Sequence, residues 1–258
     1  MNGTNGVAVK LQDLSFSYPG QDGRARPIYQ GLTLGIQSQK VTALMGASGA
    51  GKSTLGKLLS GDLIPNAGSI RWSEEFKSER DRFYLDQDPG GVYSPWLTVE
   101  ANVREPLKVL GWPKDRLQEW SKEIISKFDL ERFLDRFPKH LSGGQKSRLA
   151  LARVLAWMPK SVILDEYLAD LDTVTRQRVM QVLRDFVTSR DMTVILISHA
   201  TTDVAVVADR CLVFGGSPAH VIADIDVAEL RSRFDLLEVQ AQLAAQVAKV
   251  QYLYAQAN

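Results

Sequence analysis

The sequence predicts an α/β fold with an N-terminal antiparallel β region and an inserted α-helical subdomain. Three observations carry this expectation. The first forty residues are rich in short stretches that alternate at strand period. The continuous apolar run Val41–Met45 is followed by a glycine-rich loop and then by the helix-compatible segment Ser53–Ser60, the order that opens a βαβ unit. From about Thr98 to Trp157 apolar residues recur at helical spacing, and short buried strands return only afterwards.

The elements follow in order. Val7–Leu11 and Leu14–Tyr18 read as two short strands, and Tyr18-Pro19-Gly20 breaks the second, because proline fixes φ and glycine permits a turn. Gln21–Arg26 reads as a polar loop and Leu32–Gln37 as a third strand. In the helical block, Val99, Val103, Leu107 and Leu110 form one face, with Pro106 expected to kink or break it. Leu117, Trp120, Ile124, Ile125 and Phe128 form another, with Pro113 where a helix can start. Val162–Leu164 and Thr193–Ser198 read as buried strands, Thr173–Ser189 as a helix, and Leu212–Phe214 as a further strand. From Val227 onward one helix is expected, lined by Leu236, Val239, Leu243, Val247, Val250 and Tyr254. Its uncharged glutamines leave two roles open, packing on its own domain or binding a partner. The expected organisation is 1–88 for the β region and first part of the core, 89–157 for the helical insert, 158–226 for the rest of the core and 227–258 for the tail.

Composition narrows the function. A chain of 258 residues suits one large domain, or a core with an embedded subdomain. With 45% hydrophobic and 24% charged residues it is neither disordered throughout nor a fibrous or disulfide scaffold. Lys and Arg number 31 against 30 Asp and Glu, so no global attraction to nucleic acid or anionic lipid is expected. The single cysteine, Cys211, has no internal partner and reads as a buried thiol. The N-terminal residues lack the charged and apolar regions of a secretory signal. No apolar stretch approaches the ~20 residues of a spanning helix, so any work at a membrane needs another chain to supply the spans.

The chemistry concentrates in three motifs. Gly46-Ala47-Ser48-Gly49-Ala50-Gly51-Lys52-Ser53, with Thr54 after it, satisfies G-x-x-x-x-G-K-[ST]. Its glycines let backbone N–H groups curl around phosphate oxygens. Lys52 adds a point charge at the β/γ-phosphates, the Ser53 hydroxyl is suited to Mg²⁺, and the helix N-terminus favours the anion. Ser161-Val162-Ile163-Leu164-Asp165-Glu166 places two acids at a strand end, Asp165 to hold Mg²⁺ and Glu166 to polarise an attacking water. Between them, Leu141-Ser142-Gly143-Gly144-Gln145 offers a helix cap at Ser142 and exposed backbone donors at the glycines, a second phosphate-binding helix end.

Together these motifs resemble the ATP-binding subunits of ABC transporters, from about Val7 to Phe214, and the fold implied is a P-loop ATPase cassette. In that family LSGGQ is the signature that meets the γ-phosphate of ATP held by the P-loop of an opposing subunit, so Ser142, Gly143, Gly144 and Gln145 are expected to bind nucleotide across a dimer. Gly61, Pro65 and Gly68 match the family's spacing after the P-loop. By the same resemblance, Tyr18 stacks on adenine, Gln87 is the Q-loop glutamine that senses Mg²⁺ and the γ-phosphate, and His199 is the switch histidine. Ala169-Asp170-Leu171-Asp172 corresponds to the D-loop, with Asp172 kept and the usual serine absent. Two further departures are Tyr167, where proline is usual after the catalytic glutamate, and Ser147, where glutamine is usual before Arg148.

The cofactors implied are ATP and Mg²⁺. The implied partners are transmembrane permease subunits, a second ATPase cassette as homo- or heterodimer, and a solute-binding protein if the complex imports. No nucleic acid is implied, and the implied location is the cytoplasmic face of a membrane. The stretch between Gly46 and Leu141 is too short for the long coiled coil of DNA-repair relatives. The run Gln87-Asp88-Pro89, Ser94-Pro95-Trp96-Leu97-Thr98-Val99 and Arg104-Glu105-Pro106-Leu107 resembles the dipeptide, oligopeptide and nickel importer ATPases, although Ser94 stands where they have asparagine. The alternative is a cytosolic relative in an assembly role such as iron–sulfur cluster biogenesis.

Overall fold

The structure, a computed structural model, describes residues 6–20, 25–76, 78–169 and 171–257. It divides into two compact units. The first comprises Met1–Tyr84, Lys160–Asp165 and Arg184–Asn258, and the second Leu85–Pro159 and Glu166–Leu183.

The first unit opens with β1 (Val7–Pro19) and β2 (Ala25–Gln37), paired antiparallel. Sequence patterning predicted two strands where β1 is one. Asp13 accounts for the difference: it adopts the left-handed region at φ 49°, and the ladder shifts register between Leu11 and Leu14. The Asp13 N–H is taken up by Thr33 Oγ1 at 3.1 Å. A bulge therefore absorbs the irregularity without ending the strand. Of the expected loop Gln21–Arg26, residues 21–24 lie outside the described residues. Ala25 and Arg26 instead belong to β2, because they still pair with Pro19 and Tyr18.

Next come β3 (Val41–Gly46), the helix α1 (Lys52–Ser60), β4 (Ala67–Trp72) and β5 (Arg82–Leu85). β4 joins the other edge of β1, giving the antiparallel order β2-β1-β4. The remaining strands are β6 (Ser161–Asp165), β7 (Thr193–Ile197), β8 (Arg210–Gly215) and β9 (His220–Asp226), in a sheet ordered β5-β6-β7-β3-β8-β9. β6, β7, β3 and β8 run parallel, and β9 returns antiparallel. Strands β3, β6 and β7 are buried along their whole length, which explains why they read as unbroken apolar runs. One core of Leu11, Ile36, Leu55, Leu59, Ile163 and Phe214 fills the space among both sheets and α1.

The second unit contains α2 (Val99–Val109), α3 (Lys114–Lys127) and α4 (Gly143–Ala156), packed through Val103, Leu107, Ile124 and Leu151. Pro106 does not break α2. Proline removes the N–H that would bond the Asn102 carbonyl one turn back. Arg153 Nη1 of α4 donates to that carbonyl instead, at 2.9 Å. α5 (Thr173–Arg190) starts in this unit.

The tail is two helices in place of the one expected. After α6 (Thr201–Val207), α7 (Val227–Arg233) stops where Phe234 turns extended. α8 (Leu236–Ala257) restarts with Asp235 accepting from the Glu238 N–H at 3.0 Å. Val239, Leu243 and Val247 are buried, so α8 packs on its own unit, while Leu236 is exposed. β4, β5, β9 and α6 were not legible in the sequence. Among the described residues, no helix is long and apolar enough to cross a membrane.

Candidate nucleotide site

In the first unit the site is built at the C-terminal end of β3. Two of its glycines are fixed by their surroundings. Gly46 takes φ 143°, and a Cβ there would come within 2.3 Å of the Phe214 carbonyl oxygen. Gly51 takes φ 79°, and its Cβ would meet Tyr29 Oη at 2.7 Å. Tyr29, fully buried, donates to the Gly51 carbonyl at 2.8 Å and so holds the loop from below. Burial pushes the Tyr29 phenol well above its ordinary range, which keeps it a donor.

Lys52, only 5% exposed, donates from Nζ to the carbonyls of Gly46 and Ala47, each at 2.9 Å. Its ammonium is thus held over the loop it belongs to. Ser48, Gly49 and Ser53 are exposed, and Ala50 and Thr54 are buried. Tyr18, at the end of β1, packs edge-on to Phe16 and brings its hydroxyl to 3.4 Å from Thr54 Oγ1. The structure therefore brings Tyr18 beside the start of α1 with its ring partly exposed.

Asp165 ends β6 and is 6% exposed. Tyr84 donates to its Oδ2 at 2.5 Å, whereas Oδ1 is buried without a hydrogen-bond partner. A buried carboxylate oxygen with no donor is costly in protein alone. It is the hard oxygen ligand that a divalent cation takes, so the donor set fits Mg²⁺. Tyr84 escaped the sequence reading. The signal was present only as an aromatic residue three positions before Gln87.

His199 lies two residues past the end of β7 and is exposed, next to the buried Ser198. A cavity of about 320 Å³ is lined by Met45, Gly46 and His199 on one side and by Ala244, Val247 and Gln251 of α8 on the other. α8 thus flanks the entrance to the glycine loop, a relationship with no sequence signal.

The second unit carries the remaining candidates. Gln87 is exposed just before a short 3-10 turn at Pro89–Gly91, capped by Asp88. Glu166 follows Asp165 in the left-handed region, at φ 51°. Ser142 caps α4 as expected: it accepts from the Gln145 N–H, and Gln145 Oε1 accepts from the Ser142 N–H at 3.0 Å, a reciprocal capping box. Gly143 is exposed at this helix start. Asp172 accepts from the Thr175 N–H at 3.0 Å, and hydrogen bonds from the Thr175 side chain and backbone hold its carboxyl below the usual range. Asp170 lies outside the described residues.

In the first unit the arrangement can cradle a polyphosphate on backbone N–H groups and neutralise it with Lys52 and a divalent ion at Asp165. Comparison with known proteins agrees. The ABC transporter family matches residues 29–169. The energy-coupling factor transporter ATP-binding protein EcfA1 of Mycoplasmopsis synoviae is 32% identical over 243 residues, covering 88% of this chain and 90% of that protein. The aliphatic sulfonates import ATP-binding protein SsuB 1 of Mesorhizobium japonicum is 32% identical over 221 residues, covering 85% and 82%. Among solved structures, cbiO1 from Clostridium perfringens, part of the ABC transporter complex cbiONQ, aligns with a TM-score of 0.74 at 25% identity, covering 96% of this chain and 99% of that one. The chain binds ATP with Mg²⁺ and hydrolyses it, and it belongs to the ATP-binding subunits of the ABC transporter family.

Proposed function

We propose that this ATPase subunit energises a membrane importer, bound to permease subunits at the cytoplasmic face and closing on ATP with a second cassette. The observation that carries the reading is the Gly46–Ser53 loop, with Lys52 held across its carbonyls and an unpartnered oxygen of Asp165 in the same unit. Import is supported by the names of the relatives, which include an import protein and an energy-coupling factor subunit. The same names favour transport over an assembly role. The cargo reading, peptides or metal chelates, rests on the run from Gln87 to Leu107 alone, since the relatives named above serve other systems. A solute-binding protein completes the complex in this reading.

The roles follow from residue chemistry. Tyr18 stacks on the adenine, and the 46–54 loop holds the phosphates. Ser53, Gln87 and Asp165 hold Mg²⁺, which neutralises charge at the β/γ-phosphates when bound. Glu166 accepts the proton of the attacking water as its oxygen bonds to the γ-phosphorus and the bond to the ADP oxygen breaks. His199 hydrogen-bonds the γ-phosphate. Ser142, Gly143, Gly144 and Gln145 meet the nucleotide of the opposing cassette, with Asp172 beside them.

Glu166→Gln tests the chemistry. It is expected to keep ATP binding, lose most turnover and accumulate an ATP-bound dimer with itself or a related cassette. Lys52→Ala is expected to weaken nucleotide binding instead. Near-normal steady-state hydrolysis by the Glu166→Gln protein removes this glutamate from the mechanism. A chain that stays monomeric with ATP and every candidate cassette removes the sandwich.

A further inference from the structure

The residue after Glu166 is unusual in its placement. Tyr167 is 2% exposed, and its hydroxyl donates to the carbonyl of Ser147 inside α4, at a short distance. That carbonyl belongs to α4, one turn after the helix start. The phenol is therefore set into the hydrogen-bond ladder of the helix whose N-terminus is the Ser142–Gln145 loop. Desolvation keeps it neutral far beyond the ordinary tyrosine range, and Tyr93, from the segment after Gln87, acts in the same direction from nearby.

The surroundings make this a specific contact. Ser147 turns its own hydroxyl back onto the Gly143 carbonyl at 3.2 Å, so position 147 presents its carbonyl to the tyrosine and its side chain to the signature turn. On the other side of Tyr167, Glu166 sits in the left-handed region, an unfavourable conformation for a non-glycine residue that persists only where neighbours enforce it. Ala169 N–H closes the turn onto the Glu166 carbonyl at 3.0 Å, and Leu168 and Leu171 are buried beside it. A buried phenol bonded to α4 and next in sequence to Glu166 restrains that turn from the helix side.

We infer that Tyr167 is a positioning residue for Glu166, anchoring the turn that carries the carboxylate to the helix that carries the signature loop. Both are then one mechanical piece, and engagement of the signature loop with nucleotide bears directly on where Glu166 stands. The inference rests on the proposed role of Glu166.

The test compares full-length wild type, Tyr167→Phe, Glu166→Gln and the double variant. Tyr167→Phe removes one oxygen and keeps the ring. It is expected to lower kcat about five- to tenfold, with KM for MgATP and nucleotide affinity within twofold of wild type. In the double variant the second change is expected to add nothing, because Tyr167 acts only through Glu166. Damage of a general kind slows the residual Glu166→Gln rate further, and that result overturns the proposal. So does a Tyr167→Phe kcat within twofold of wild type, or failure of that variant to fold, which makes the tyrosine a folding residue. If Glu166→Gln itself turns over normally, the reading of Glu166 fails first, separately from Tyr167.

Discussion

Tyr84 donates a hydrogen bond to Oδ2 of Asp165 at 2.5 Å, and Gly56 of α1 makes room for the ring that does so. A Cβ on Gly56 would stand 2.8 Å from Tyr84 Cε2 and 3.2 Å from Ile197 Cδ1. The glycine thus lets the helix after the phosphate loop lie close to β5, β6 and β7. The consequence is an acid with one oxygen fixed by protein and the other left for a cation.

Replacing Tyr84 by phenylalanine frees both oxygens. A hydrogen bond to a charged group contributes about 1.5–3 kcal/mol. Because Tyr84 is only half-buried, the lower end applies, and we expect a loss of about 1.5 kcal/mol in urea unfolding. The Mg²⁺ concentration that half-saturates nucleotide binding is expected to rise several-fold, since Asp165 is no longer held in one orientation. An unchanged Mg²⁺ titration, with stability also unchanged, removes Tyr84 from the site.

The helical unit makes a separate prediction through Pro106 and Arg153. Arg153→Ala leaves the Asn102 carbonyl without the donor that proline cannot supply, and it strips Glu105 of its ion-pair partner. A buried acceptor left unsatisfied costs about 1–3 kcal/mol. Pro106→Ala restores an N–H in the helix. Combined with Arg153→Ala, it is expected to recover much of the lost stability, measured by chemical denaturation of the four proteins in a double-mutant cycle. Strict additivity of the two changes contradicts the exchange of donors.

Cys211 sits in β8 with no exposed surface, and burial pushes its thiol up from an ordinary 9.0 to about 12. The folded chain then keeps a proton that the unfolded chain releases first. Stability is accordingly undiminished below the ordinary thiol value and falls as pH rises through the window from 9.0 to about 12. Cys211→Ser is expected to flatten that part of the pH–stability curve. A thiol reagent at pH 8 is expected to react only as fast as the protein unfolds, and rapid labelling of the folded chain rules out this burial.

Much of this architecture was legible because its physics is local. The glycine loop, the acidic strand end and the capped helix at Ser142 depend on neighbours in sequence. The bulge at Asp13 was not legible, because it exists only where Thr33 of another strand accepts the stranded N–H. Pro106 misled for the same reason: its compensation comes from Arg153, far along the chain. Tyr84 and α8 reach the site through packing, and short strands such as β5 carry too few residues to show a period.

The last prediction concerns docking. Trp96 is 73% exposed, and Pro95 beside it is exposed too, so neither packs the core of the helical unit. The loop presenting them is nevertheless fixed. Fully buried Asn102 donates from its amide to the carbonyls of Ser94, Leu97 and Thr98, each at 3.0 Å, and accepts from the Ser94 N–H at 2.8 Å. A large apolar ring held outward on a rigid loop has little conformational entropy left to lose on binding. Truncating it costs the free subunit little, since surface substitutions usually change stability by less than about 0.5 kcal/mol. An aromatic anchor in a desolvated groove, by contrast, can carry ~2 kcal/mol or more of an interface. Trp96→Ala is therefore expected to lower co-purification with the permease and transport, while thermal stability and ATP binding of the isolated subunit stay unchanged. Gln246→Ala on α8 serves as the comparison and is expected to reduce coupling less. Full permease binding by Trp96→Ala moves the docking surface elsewhere, and a large loss of stability in the free subunit contradicts the exposed placement of the ring.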